Sequence, residues 1–253
     1  MSPLMLRYRL SILFVIALGI SCKEQAPAKP GAPAAGPRIT ATVVTIRTTL
    51  EPAKKTHTHT LVILGDRARS TAEQETWRLF DTKADTITFV DDLAKTFRVE
   101  KLQDAMKQRR AALAASLPPH YPRMHVRRTG TKKQLQGVTA EQLAVKSSGY
   151  ERELWMAEHP SIPRGLFAMM HASERPSSPL APMMRAVDEA LLTARGFPLV
   201  DRSEITYGNQ KVIVERTVIA VEKKELAQTL LEVPRDYKDL TPKPAPAKKK
   251  SRT

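Results

Sequence analysis

From Ile39 onward the chain alternates apolar and polar positions with a period of two. The segments Ile39-Thr-Ala-Thr-Val-Val-Thr-Ile-Arg-Thr-Thr-Leu50 and His57-Thr-His-Thr-Leu-Val-Ile-Leu64 are rich in threonine and β-branched residues, the pattern of strands with one buried face. Gly65-Asp66 is a turn signal. Short runs follow at Thr76 to Phe80, Thr86 to Val90 and Thr96 to Glu100, divided by Asp81-Thr-Lys-Ala-Asp85 and Asp91-Asp92-Leu93-Ala94, and this spacing predicts successive hairpins.

The period changes at Leu102. Leu102, Met106, Leu113 and Leu117, with Ala105 and Ala112, fall on one stripe while Lys107, Gln108 and Arg110 face away, which predicts a helix stopped by Pro118-Pro119. Strand-like runs resume at Arg123 to Thr129, Leu135 to Lys146 and Tyr150 to Glu158, punctuated by Gly130, Gly137 and Gly149. Met183 or Met184, Val187, Leu191 and Ala194 form a second helical stripe, with Gly196 as its C′ residue and Pro198 beyond. Two last strands, Leu199 to Tyr207 and Lys211 to Val221, flank Gly208-Asn209. The expected fold class is therefore α+β, a meandering antiparallel sheet with two inserted helices.

The two ends read differently. Arg7 and Arg9 precede an apolar run from Leu10 to Ile20, about eleven residues where a bilayer span needs roughly 20, so the run reads as a signal peptide. Leu18-Gly19-Ile20-Ser21-Cys22 places a small residue before the only cysteine and resembles the lipobox of bacterial lipoproteins, although Gly19 stands where leucine is commonest. The resemblance implies that residues 1–21 are removed and that Cys22 becomes an acylated N-terminus. Lys23 in place of Asp implies sorting to the periplasmic face of the outer membrane. Two other readings stay open: Cys22 merely follows an ordinary signal peptide, or the run is an uncleaved anchor. With one cysteine the domain has no internal disulfide.

Residues 22–38 hold the Pro/Ala-rich stretch KEQAPAKPGAPAAGP, which favours extended conformations and reads as a linker. Residues 39–240 are left as one periplasmic domain, long enough to bury a core without help. Residues 241–253, TPKPAPAKKKSRT, carry Lys243, Lys248, Lys249, Lys250 and Arg252 with no acid and are expected to form a cationic disordered tail. The chain has 41 Lys and Arg against 26 acids, a formal charge of +15 to which the leader contributes only Arg7 and Arg9. Such a field favours anionic partners, and in an envelope those are headgroups and wall polymers before nucleic acid.

Several segments carry a wider likeness. Leu79-Phe80-Asp-Thr-Lys-Ala-Asp-Thr-Ile-Thr-Phe-Val-Asp-Asp-Leu-Ala-Lys-Thr-Phe97, Gly137, Glu151-Arg-Glu-Leu-Trp155-Met-Ala, Gly196-Phe-Pro-Leu199 and Leu231-Glu-Val-Pro-Arg-Asp-Tyr-Lys238 resemble a bacterial family of exported proteins of unknown function, similar in fold to LolA-like lipoprotein carriers. The E-V-P-x-x-Y-K ending is the most specific of these motifs. Gly137-Val-Thr-Ala departs from the pattern by lacking a cysteine after that glycine. The resemblance implies a half-barrel with two or more helices packed in its concavity and an apolar cavity between them. Leu166, Phe167, Met169, Met170, Met183 and Met184 are its candidate lining residues, although the helical spacing of the methionines suits a filled core better.

Signals for catalysis are sparse. His57 and His59 lie two apart, so on a strand both rings share a face, but no third ligand accompanies them and a solvated strand face of Thr and His explains the pair better than a metal does. His120, His125, His159 and His171 are scattered. Asp81, Asp85, Asp91 and Asp92 fall at turns, where side-chain-to-backbone bonding explains them better than acid–base work. There is no G-x-S-x-G elbow, P-loop, H-E-x-x-H or dinucleotide fingerprint. Arg109-Arg110, Arg127-Arg128 and Lys132-Lys133 lack the interleaved aromatics of single-strand nucleic-acid binders. The expectation is a non-enzymatic, cofactor-free lipoprotein that binds a hydrophobic or lipid ligand, with an envelope structural or protein-interaction role as the alternative.

Overall fold

The computed structural model describes residues 37–71, 75–115, 125–147, 149–174, 191–192 and 195–242. The leader, Cys22, most of the linker, Met183, Met184 and the basic tail lie outside them. Twelve strands form one sheet. They are β1 (Arg38–Glu51), β2 (Lys55–Leu64), β3 (Arg67–Thr71), β4 (Thr76–Asp81), β5 (Thr86–Asp91), β6 (Thr96–Lys101), β7 (His125–Leu135), β8 (Val138–Ser147), β9 (Tyr150–Ala157), β10 (Phe197–Tyr207), β11 (Gln210–Ala227) and β12 (Lys238–Asp239). Their order is β12-β6-β5-β4-β3-β2-β1-β11-β10-β9-β8-β7, so two meanders join where β1 pairs with β11. That ladder runs from Arg38 opposite Ala227 to Glu51 opposite Ile213, with one irregularity at Thr45/Ile46. All pairings are antiparallel except that of β12 with β6.

This overturns the expected α+β half-barrel with helices packed in its concavity. The domain is mostly β, an open twelve-stranded sheet, and the described residues contain only two short α-helices, α1 (Leu102–Ala115) and α2 (Leu166–Ser173). Part of the reason is that strand signals were under-read. Arg67–Thr71 pairs with both neighbours although its sequence shows only the turn before it, and β11 continues six residues past Val221. The stripe beginning at Leu102 does form a helix, and over its residues 102–112 Ala105 and Arg109 are buried and Leu102 and Met106 half-buried. Of the second expected helix, only Leu191 and Leu192 lie within the described residues.

The tight turns follow from aspartate chemistry. Asp81 Oδ1 accepts from the amides of Lys83 (3.1 Å) and Ala84 (2.8 Å), and Asp91 Oδ1 accepts from Ala94 N–H at 2.8 Å. These side chains supply the turn with acceptors that no strand provides.

Period-two alternation gives the sheet two unlike faces. Val44, Ile46, Leu61, Ile63, Phe80 and Ile87 point to one face and join α2 residues in the main core. Trp77, Leu79 and Val90 point to the other and pack with Leu231, Phe97 and Tyr237. The C-terminal segment covers that second face as a strap. Arg67 and Arg69 donate to the carbonyls of Leu231 (2.6 Å) and Leu230 (3.0 Å) in the 3-10 turn Gln228–Leu231. Asp92 Oδ1 accepts from both Trp77 Nε1 (2.8 Å) and the Tyr237 hydroxyl (2.9 Å), and the Arg69 guanidinium lies 3.9 Å from the Trp77 ring centroid. The E-V-P-x-x-Y-K motif is thus part of this strap, and Lys238–Asp239 ends it by pairing with β6.

Candidate functional site

The register of the main-core face sets polar side chains among apolar ones. Ile46 stands opposite His59 and Thr48 opposite His57. Across the next ladder Thr48 faces Arg216 and Leu50 faces Val214, and then Arg216 faces Asp201. Asp201 is opposite Leu154, with Arg152 one inward position further along β9. On the far side Ser70 pairs with Arg78. No two of these polar residues need be neighbours in sequence, because the sheet assembles them across seven strands.

Helix α2 lies over this face. Gly165 begins it in the left-handed region (φ 83°), which suits a residue without Cβ, and Met169 N–H bonds to its carbonyl at 3.0 Å. Leu166 and Met169 point inward and are fully buried. Phe167 meets Phe197 edge-on with centroids 6.2 Å apart and stacks on His171 at 6.1 Å. The end of the helix is held by α1, where Arg109 donates to the Glu174 carbonyl and approaches His171 Nε2 at 3.3 Å.

Between the end of α2 and the sheet lies a cleft of about 300 Å³, lined by Thr48, Leu50, His57, His59, Ser70, Arg78, Phe80, Met170, Glu174, Val214 and Arg216. An adjoining pocket of about 90 Å³ shares His59, Met170, Glu174 and Arg216 and reaches Phe167, Arg152 and Asp201. At its floor Arg152 Nε and Nη2 donate to the two oxygens of Asp201, both at 2.8 Å, with the side chains only 9% and 7% exposed. Arg216 Nη1 adds a third contact at 3.3 Å. Burial by itself pushes the Asp201 carboxyl up, but the charge and hydrogen bonds of Arg152, helped by Arg216, outweigh it and hold the group below its usual range. Burial likewise favours neutral Arg152, yet Asp201 outweighs it and keeps the guanidinium charged. His59 is shifted down, first by burial and then by the neighbouring His57 and Arg216 charges, with Glu174 opposing. The hydroxyl of Thr48 is buried and has no hydrogen-bond partner among the described residues.

The expected cavity residues divide between two environments. Leu166 and Met169 fill the core, Phe167 belongs to the core and edges the adjoining pocket, and Met170 lines the cleft; Met183 and Met184 fall outside the described residues. His57 and His59 do share a face, with ring centroids 6.4 Å apart. Among the described residues no group of three or more His, Cys, Asp or Glu side chains is placed to hold a metal ion. Of the basic pairs, Arg109 is buried against α2 and the rest do not enter the cleft; Arg127, Arg128, Lys132 and Lys133 lie on the edge strand β7, where Lys133 Nζ sits 3.7 Å from the Trp155 ring centroid.

Sequence reading missed Thr48, Ser70, Arg78, Arg152, Asp201 and Arg216. A signal existed. Thr48 is in phase with Val44 and Ile46, Arg152 with Tyr150 and Leu154, and Arg216 with Val214 and Val218. A polar residue on the apolar phase of a strand must find a partner or line a cavity.

Comparison with known proteins places the family but no activity. The family profile described as a domain of unknown function (DUF4412) matches residues 43–237. Comparison with curated proteins found no match. Among solved structures, PNGF-II in a C2 crystal form is 12% identical with a TM-score of 0.43, covering 79% of this chain and 31% of its own. A P21 form of PNGF-II is 10% identical with a TM-score of 0.41, covering 81% and 32%. The chain therefore spans about a third of the length of those structures, and similarity at this level supports no inference of activity. On the match over residues 43–237, the chain belongs to the DUF4412 family, whose domain is of unknown function.

Proposed function

We propose that the chain is an envelope lipoprotein, tethered through acylated Cys22 to the periplasmic face of the outer membrane, and that its sheet domain is a non-enzymatic module binding a partly hydrophobic ligand in the cleft beside α2. The observation that carries this reading is the cleft wall. Leu50, Phe80, Met170 and Val214 face the same space as seven polar or charged residues, a concave wall with an apolar strip and convergent polar groups that suits a ligand having both kinds of surface. At about 300 Å³ the cleft is at the lower end of ligand-site volumes, so it takes a short alkyl or ring portion rather than a whole lipid. Thermal denaturation of the full chain against short-chain lipids and alkyl compounds tests it. A ligand present at 100 times its Kd stabilises the native state by about 2.7 kcal/mol, so a saturating rise in Tm is expected, and a flat response across the panel refutes the reading.

A second reading has its own support. Leu166 and Met169 are fully buried, so most of the space beneath α2 is filled, as in a protein that acts through its surface and its basic tail. In that case no alkyl compound shifts Tm, and cross-linking in intact cells yields a specific adduct to an envelope partner.

A further inference from the structure

Among the described residues, one arginine of the cleft shares its acid with another arginine and a second has no acid partner. Arg216 touches Asp201 at 3.3 Å, but that carboxylate already receives two bonds from Arg152 at 2.8 Å. The Arg216 side chain is 47% exposed and stands over the cleft. Among the described residues Arg78 bonds to a neutral group, the Ser173 hydroxyl, at 3.2 Å, and its guanidinium lies 5.8 Å from the Phe89 ring centroid. Both arginines line the same cleft, one from β4 and one from β11, and Glu174 is the acid that shares it with them. His57, His59 and Ser70 occupy the wall as well, together with the buried and unpartnered Thr48 hydroxyl. A hydroxyl left unpaired in the interior is a cost that a ligand oxygen would remove.

We propose that this cleft recognises the phosphate group of an amphiphilic ligand. Arg78 and Arg216 bind the phosphate oxygens from opposite sides, Thr48 and His59 add hydrogen bonds, and Leu50, Phe80, Met170 and Val214 take the apolar part. The donor arrangement selects the anion. A planar carboxylate is satisfied by one forked guanidinium, whereas donors converging from separate strands suit the several oxygens of a tetrahedral group. This inference rests on the binding reading above and names its ligand class. The phosphate can belong to a lipid headgroup or to a soluble phosphate ester.

Calorimetric titration of the full chain in nonionic detergent with hexyl phosphate, hexanol and inorganic phosphate tests it. Hexyl phosphate should bind at least about tenfold more tightly than hexanol, since charge-assisted bonds are the stronger kind. Arg78→Gln and Arg216→Gln should each weaken it about tenfold with near-ultraviolet circular dichroism unchanged, and Thr48→Val several-fold. Lys107→Gln, which removes the same charge from the exposed face of α1, should change nothing. Equal binding of hexanol and hexyl phosphate overturns the phosphate site but leaves the apolar reading standing; binding of neither overturns both. An equal loss in Lys107→Gln also overturns the site, because the attraction would then be unspecific charge. If inorganic phosphate matches hexyl phosphate, the amphiphile is overturned, because the apolar wall then adds nothing to binding. If hexyl phosphate is the tighter and phosphatidic acid vesicles compete with it, the site stands and the source is a lipid headgroup.

Discussion

Substituting Asp201→Asn removes one charge from a pair that the fold has placed almost out of reach of water. Arg152 and Asp201 are 9% and 7% exposed and joined by two bonds of 2.8 Å. After the change the guanidinium remains buried opposite a neutral amide, and breaking one side of a buried pair in this way costs about 3–5 kcal/mol. For a domain of this size each kcal/mol lowers Tm by roughly 2–4 °C, so a fall of about 6–20 °C is expected. Arg152→Met should cost less, about half as much by this reasoning, because the stranded carboxylate keeps Arg216 at 3.3 Å and that side chain is 47% exposed. The double variant Arg152→Met/Asp201→Leu should recover most of the loss, since well-packed apolar replacements of buried ion pairs are often neutral. Urea denaturation followed by the fluorescence of Trp77 and Trp155, each buried in a different one of the two cores, measures all three variants and checks that both cores melt together. The reasoning fails if Asp201→Asn costs less than about 1 kcal/mol, or if the double variant is as unstable as Asp201→Asn.

Thr48→Val should raise the stability of the ligand-free domain by about 1 kcal/mol, because it removes a buried hydroxyl without a partner; a fall in the urea midpoint would mean that the hydroxyl is satisfied in solution. His59 is held below its ordinary value, so its contribution to stability is complete above about pH 6.5 and is lost as pH falls through the lower folded value. His59→Asn should therefore flatten part of the decline in Tm below pH 6.5, leaving the share of His159, which burial also shifts down, and an unchanged pH profile would refute the assignment. Gly196→Ala should destabilise strongly, by about 2–4 kcal/mol, since its φ is +92° and a Cβ would lie 2.5 Å from the Ala157 carbonyl oxygen; a Tm within 2–4 °C of wild type, the shift of roughly 1 kcal/mol, contradicts this. Cys22→Ala should move the protein from the membrane pellet to the soluble periplasmic fraction, and retention after a high-salt wash would show that Leu10 to Ile20 is an uncleaved anchor.

Much of the sheet was determined locally. Alternation from Ile39 to Leu50 and from His57 to Leu64 became β1 and β2, and the Asp-rich breaks became turns because the Asp81 and Asp91 carboxylates bond amides two or three residues on. Gly196 has a φ of 92°, a backbone conformation that favours glycine. Local pattern could not settle how the strands assemble or what covers them. The pairing of β1 with β11 joins residues more than 160 positions apart, and no local period encodes it. Nor does alternation tell a helix-covered sheet from one whose second face is closed by a strap, since both need the same two-faced strands; here the Leu231 to Lys238 segment supplies that cover. The cleft is the extreme case. Arg78, Arg152, Asp201 and Arg216 each read as one polar letter in a strand, and only the register of seven strands brings them beneath the end of α2. The sequence marked Arg152 and Arg216 as polar residues on an apolar phase, while the tertiary structure decided that Asp201 neutralises Arg152 and that Arg78 and Arg216 face the open space, because pairing of charges depends on distances that the fold alone sets.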